Sequence, residues 1–118
     1  MVVTGVAERM PERLSRLMYI DAAVPRDGES LMDVIRPEIG AHIAERVQTH
    51  GQGWLVTFES SDRRSTPQPF QTFTQPLAVR NSAATAIPRT YFYCTNTQAG
   101  GGIFLKSAQR ARTGLALL

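Results

Sequence analysis

Leu17-Met18-Tyr19-Ile20-Asp21-Ala22-Ala23-Val24-Pro25-Arg26-Asp27-Gly28 carries the first strong structural signal in the chain. An unbroken apolar run stops abruptly at Asp21, and Pro25 and Gly28 then punctuate a loop. That is the pattern of a buried parallel strand and its C-terminal loop, whereas a half-solvated antiparallel strand alternates apolar and polar residues. The reading places Asp21 at the C-terminal end of a strand, the side of an open α/β sheet on which ligands bind.

Upstream of this strand, residues 1–9 read as the end of a helix: Met1, Val2, Val3 and Val6 are apolar, Glu8 and Arg9 close it, and no N-cap residue precedes Met1. Pro11 opens a short helical turn, with Leu14 and Leu17 directed to a core. Downstream, Ser30 and Asp33 have capping-box spacing, and Leu31, Val34 and Ile35 share a helical face that Pro37 ends or kinks. Ile39, Ile43 and Val47 form a second helical stripe, up to Gly51-Gln52-Gly53. Trp54 to Phe58 reads as a short strand or an apolar lining segment. Pro67, Pro69 and Pro76 make residues 59–76 a surface loop without regular structure, with Phe70 and Phe73 turned inward, and 82–86 add one helical turn. Arg89 to Thr95, rich in aromatic and β-forming residues, is a second buried strand, and a helix follows from about Ile103 to Arg112. The apolar ending Gly114-Leu115-Ala116-Leu117-Leu118 carries no stop signal, so both ends read as cut.

Composition narrows the function classes. The chain has 118 residues, enough for one small domain and too few for two. No apolar run approaches the ~18–20 residues that cross a bilayer, and no basic leader region opens the chain, so the expectation is no membrane and a cytoplasmic location. Cys94 is the only cysteine, which excludes an internal disulfide and a thiolate metal cluster. It reads as a small core residue of the second strand. The three glycines at 100–102 lack the Lys-Ser/Thr of a phosphate loop, and no cofactor or metal is expected. Charge is uneven: residues 1–62 hold six arginines and ten acids, and residues 63–118 hold seven basic residues and no acid. These seven are scattered and not interleaved with aromatics as a stacking platform, so nucleic acid is not the expected partner.

The order helix end, buried strand, insertion, second buried strand and helix is that of an α/β-hydrolase after its nucleophile elbow. Residues 1–31 resemble the segment that follows Gly-His-Ser-Tyr-Gly-Gly in small bacterial esterase-like members of the α/β-hydrolase superfamily, the branch allied to plant methylesterases and hydroxynitrile lyases. Thr66-Pro67-Gln68-Pro69-Phe70-Gln71-Thr72-Phe73-Thr74-Gln75-Pro76-Leu77 and Ile87-Pro88-Arg89-Thr90-Tyr91-Phe92-Tyr93-Cys94-Thr95-Asn96-Thr97 resemble its later cap and penultimate strand. The resemblance covers roughly residues 1–112 and implies an α/β fold, the C-terminal part of a hydrolase domain. Its core would be residues 1–29 and 87–112, and a cap insertion would take about 30–86.

The resemblance also implies chemistry: Ser attack from a Gly-Xaa-Ser-Xaa-Gly turn, a His base and an acid that orients it, acting on a small-molecule ester in the full-length parent. The chain has no Gly-Xaa-Ser-Xaa-Gly, and its seven serines lie in helix, cap or loop contexts. The usual late carboxylate position shows Asn96, Thr97 and Gln98, with no acid downstream, which leaves Asp21 as the candidate acid. The alternative for Asp21 is that it caps the following turn. No histidine lies beyond His50, and His42 and His50 fall in the cap as surface side chains. Trp54, Leu55, Phe58, Phe70 and Phe73 either line a substrate pocket or simply pack cap on core. The expectation is therefore a carboxylester hydrolase by resemblance, inactive as this chain. The alternative is a non-catalytic remnant that acts as an interaction partner and self-associates through an exposed sheet edge.

Overall fold

A computed structural model describes residues 1–57, 64–94, 104–112 and 116–117. Helix α1 (Val2–Arg9) buries Thr4 and Ala7, and a 3-10 turn at Pro11–Arg13 leads into strand β1 (Leu17–Ile20). Two helices follow, one of four residues and one of 13. In α2 (Leu31–Val34) the Ser30 backbone N–H and hydroxyl both donate to Asp33 Oδ2, at 2.8 and 2.6 Å. Helix α3 (Pro37–Thr49) begins on Pro37 at its first position, so this proline opens the second helix and does not kink the first.

The segment read as a proline-punctuated loop contains more structure than its composition suggests. Strand β2 (Leu55–Val56) pairs antiparallel with β3 (Gln68–Pro69), and α4 (Gln71–Thr74) follows. Proline is tolerated at Pro69 because a two-strand ribbon has only edges, where one ladder donor can be missing. Helix α5 (Ser82–Ala86) is capped by the Asn81 side chain, which accepts from the Ala83 N–H at 2.9 Å. Strand β4 (Arg89–Phe92), helix α6 (Leu105–Arg112) and strand β5 (Ala116–Leu117) complete the chain.

The main sheet has the order β1-β4-β5 and is parallel throughout: Leu17 stands opposite Arg89 and Ile20 opposite Phe92, and Thr90 faces Ala116. The fold class is thus α/β, helices with a parallel sheet, as the first strand signalled. β5 was not anticipated, since two apolar residues of a six-residue tail have no readable period. Residues 113–115, 118 and the Thr95 end of the second strand lie outside the described residues.

Two apolar clusters hold the chain together. Ala7, Leu17, Tyr19, Ala84, Ile87, Tyr91 and Ala108 pack on one face of the main sheet. Val47, Val56 and Phe73, with Leu31, Ile43 and Phe70 beside them, form the second cluster around α3 and the small sheet. The opposite face of the main sheet differs from the fully buried strand expected from the sequence: Met18 is 62%, Ile20 69% and Phe92 40% exposed. Cys94 likewise departs from its reading as a core residue. Strand β4 ends two residues before it, and its side chain is exposed.

Candidate functional site

Asp21 follows the last residue of β1 and adopts φ 41°, a left-handed conformation uncommon outside glycine. Its N–H donates to Phe92 O at 2.8 Å, which continues the β1–β4 ladder one residue beyond the strand. Oδ1 is buried and accepts no hydrogen bond among the described residues. Asp21 therefore does not use this oxygen to cap the turn that follows. A buried polar atom left without a hydrogen-bond partner costs ~1–3 kcal/mol, so its retention beside a cavity asks for a reason.

The backbone behind it is fixed at three points. The Ala22 N–H donates to the Tyr91 hydroxyl at 3.1 Å, and the same hydroxyl donates to Ala22 O at 2.9 Å. The Val24 N–H donates to Ser107 Oγ at 3.0 Å, and Ser107 is fully buried on α6. The Tyr91 ring stacks on Tyr19, centroids 6.4 Å apart and planes at 22°. Burial pushes the Tyr91 hydroxyl up to about 12, so the phenol keeps its proton and its donor role across the physiological range.

Asp21 borders a cavity of about 390 Å³ at the C-terminal end of β1. The start of α1 (Met1, Val2) forms one wall, Leu31 and Phe104 a second, and Gln68, Thr72 and Phe73 close it from the small sheet and α4. A cavity of this size, mainly apolar with a few convergent polar groups, is of the kind that holds a small organic molecule. The structure brings Asp21 and Phe73 together here, and Phe73 is 7% exposed. Phe70 packs in the second cluster without bordering the cavity, and Trp54 is 55% exposed, its carbonyl accepting from the Phe70 N–H at 2.7 Å. Phe58, the position at Asn96 to Gln98 and the glycines at 100–102 lie outside the described residues.

His42 is exposed on α3, and His50 is exposed at its C-terminal end, Nδ1 2.7 Å from Thr49 Oγ1. Neither borders the cavity. Among the described residues no three His, Cys, Asp or Glu side chains converge as metal ligands, and no helix is long and apolar enough to cross a membrane. Gln68, Thr72, Phe104, Tyr91 and Ser107 were not singled out from the sequence. Tyr91 and Ser107 find their partners, Ala22 and Val24, tens of residues away, and only Tyr91 carried a local signal, as a residue of a buried strand.

A parallel sheet with helices beside it, and a carboxylate and a cavity at a strand's C-terminal end, is an α/β architecture, in which ligands bind at that end of the strands. No family model matches the chain. It is 30% identical over 111 residues to the carbendazim hydrolyzing esterase of Nocardioides sp. (strain SG-4G), a match that takes in 77% of this chain and 46% of that one. In fold it is similar to a solved pyrethroid hydrolase, with a TM-score of 0.58 at 15% identity, over 98% of this chain and 55% of that one. The chain spans about half the length of both proteins. Both proteins are hydrolases by name, and the second likeness, at 15% identity, bears on the fold alone.

Proposed function

We propose that the chain forms the C-terminal part of an α/β-hydrolase domain and supplies the acid and the cap of a carboxylester hydrolase site. In this reading residues 1–29 and 87–112 are core, and about 30–86 are cap. Asp21 accepts from the ring N–H of a catalytic histidine, fixes its tautomer and stabilises the imidazolium that forms when the imidazole takes the proton of an attacking serine. Phe73 and its neighbours exclude water from a small-molecule ester. The observation that carries the reading is the buried Asp21 Oδ1, without a donor among the described residues, beside the cavity at the end of β1. The chain contains neither Gly-Xaa-Ser-Xaa-Gly nor a histidine after His50, so by itself it is expected to leave esters at background rates. The reading requires no cofactor, no metal, no nucleic acid and no membrane, and it suits a cytoplasmic protein.

A chimera tests it. Residues 1–112 replace the matching part of the Nocardioides esterase, and hydrolysis of p-nitrophenyl acetate is followed. The chimera hydrolyses the ester, the isolated chain does not, and Asp21→Asn in the chimera lowers kcat by about 10³–10⁴-fold, as loss of a tautomer-fixing carboxylate does. A folded chimera without turnover, or one indifferent to Asp21→Asn, contradicts the proposal.

A second reading, the non-catalytic remnant that acts as an interaction partner, is favoured by one observation. Leu17 and Asp21 direct their N–H groups to β4, at 2.9 and 2.8 Å, so the backbone of Met18 and Ile20 points to the outer edge of β1. That edge has no strand beside it among the described residues, and the apolar face next to it is exposed. Such an edge is a template for pairing with another chain, here a second copy.

A further inference from the structure

We infer that Tyr91 is a positioning residue for Asp21: its hydroxyl grips the peptide groups on both sides of Ala22 and so holds the neighbouring aspartate left-handed, with its carboxylate at the cavity. This inference rests on the reading of Asp21 as the acid.

A non-glycine residue at φ 41° is strained and persists only where its surroundings over-determine it. The surroundings of Asp21 do so on both sides. Its own N–H is taken by Phe92 O, and the next residue is gripped through donor and acceptor by one hydroxyl, Ala22 N–H to Tyr91 Oη at 3.1 Å and Tyr91 Oη–H to Ala22 O at 2.9 Å. A phenol oxygen can donate one hydrogen bond and accept others, so a single side chain satisfies both groups and fixes the plane of both peptides.

The grip itself cannot drift. Tyr91 has no exposed surface, lies in β4 opposite Tyr19 in the register, and stacks on that ring. The Tyr19 hydroxyl is in turn within 3.2 Å of Thr4 Oγ1, buried on α1. The chain of contact thus runs from α1 through two tyrosines to the residue after Asp21. Phenylalanine in place of Tyr91 keeps the stacking and the core volume, and removes only the two hydrogen bonds.

The test is Tyr91→Phe in the isolated chain, read by amide hydrogen exchange and by the ¹³Cγ resonance of Asp21. Exchange at the Ala22 amide is expected to rise at least tenfold while Leu17 and Tyr19 stay within twofold, and the Asp21 ¹³Cγ resonance is expected to move or broaden. In the chimera the same substitution lowers kcat and leaves KM unchanged, whereas a merely structural loss lowers the amount of folded enzyme without that split. Unchanged Ala22 exchange and Asp21 resonance overturn the inference, as does a uniform rise across β1. Should the variant fold poorly, the unaltered chain decides: an Ala22 amide that exchanges as fast as an unstructured one overturns the inference, and a protected one supports it. Failure here leaves Asp21 as the acid, because the chimera reads that role through Asp21→Asn alone.

Discussion

Arg110 and Glu29 meet as a two-pronged ion pair, Nη1 to Oε2 at 2.6 Å and Nη2 to Oε1 at 2.7 Å, and it ties α6 to the loop after β1. Their side chains are only 17% and 21% exposed, so water screens the pair less than a surface one. The Arg110 hydrogen bonds, foremost, hold the Glu29 carboxyl below its ordinary 4.5, against the opposing effect of burial. A carboxyl depressed in the folded state stabilises fully above its unfolded value and loses that contribution as pH falls through the folded one. Glu29→Gln is therefore expected to cost about 1–3 kcal/mol at pH 7. In urea titrations the gap between the two proteins should close progressively below pH 4.5. A gap that stays constant down to pH 2 contradicts this account of the pair. None of this was legible in the sequence, where Glu29 and Arg110 are 81 positions apart and carry no shared motif. Asp21 was legible, because an apolar run that stops on an acid fixes where the strand ends.

At the scale of elements, the end of α3 shows how one atom sets a chain reversal. His50 closes the helix, and Gly51 follows it with its Cα against the next turn: a Cβ there would lie 1.8 Å from Leu55 O and 2.9 Å from Val47 O. Both neighbours are backbone and cannot swing aside. Gly51→Ala is expected to destabilise the protein by about 1–3 kcal/mol through forced backbone shifts, measured by urea denaturation. An unchanged midpoint contradicts the close approach. Two helices were readable from period and caps, α2 from Ser30 with Asp33 and α3 from the stripe Ile39, Ile43, Val47, whereas Pro37 was read as ending or kinking the first of them and α4 lies in a stretch read as loop. Of the small sheet, β2 falls within Trp54 to Phe58, read as a short strand or a lining segment, but β3 and the pairing were not legible, because the two strands hold two residues each and meet across a segment with no period. The open face of β1 was also hidden, since an apolar run signals burial on both faces without saying what provides it.

At the scale of the molecule, one face of the main sheet is packed and the other is more exposed. Met18, Ile20 and Phe92 on that more exposed face, beside the edge of β1 that has no strand next to it among the described residues, predict reversible self-association. Sedimentation across a hundredfold range of concentration should show mass rising with concentration, and Met18→Lys with Ile20→Lys should return the chain to a monomer. A constant monomer mass contradicts the second reading and leaves the first untouched. The cavity, by contrast, was legible only in part. Asp21 and Phe73 were singled out in advance, yet the wall that joins them depends on how α4 folds back to the end of β1, and that is a tertiary fact.

We propose that Asp21 Oδ1, without a donor among the described residues, offers its cavity an acceptor for an imidazole N–H. The most direct measurement is titration of the isolated chain with 4-methylimidazole, the side chain of histidine, followed by the amide resonances around residues 21–23 and 72–73. The account predicts saturable binding at that cavity, weakened at least tenfold by Asp21→Asn with the fold intact. Equal binding by the two proteins, or no saturable shift at these residues, would contradict it.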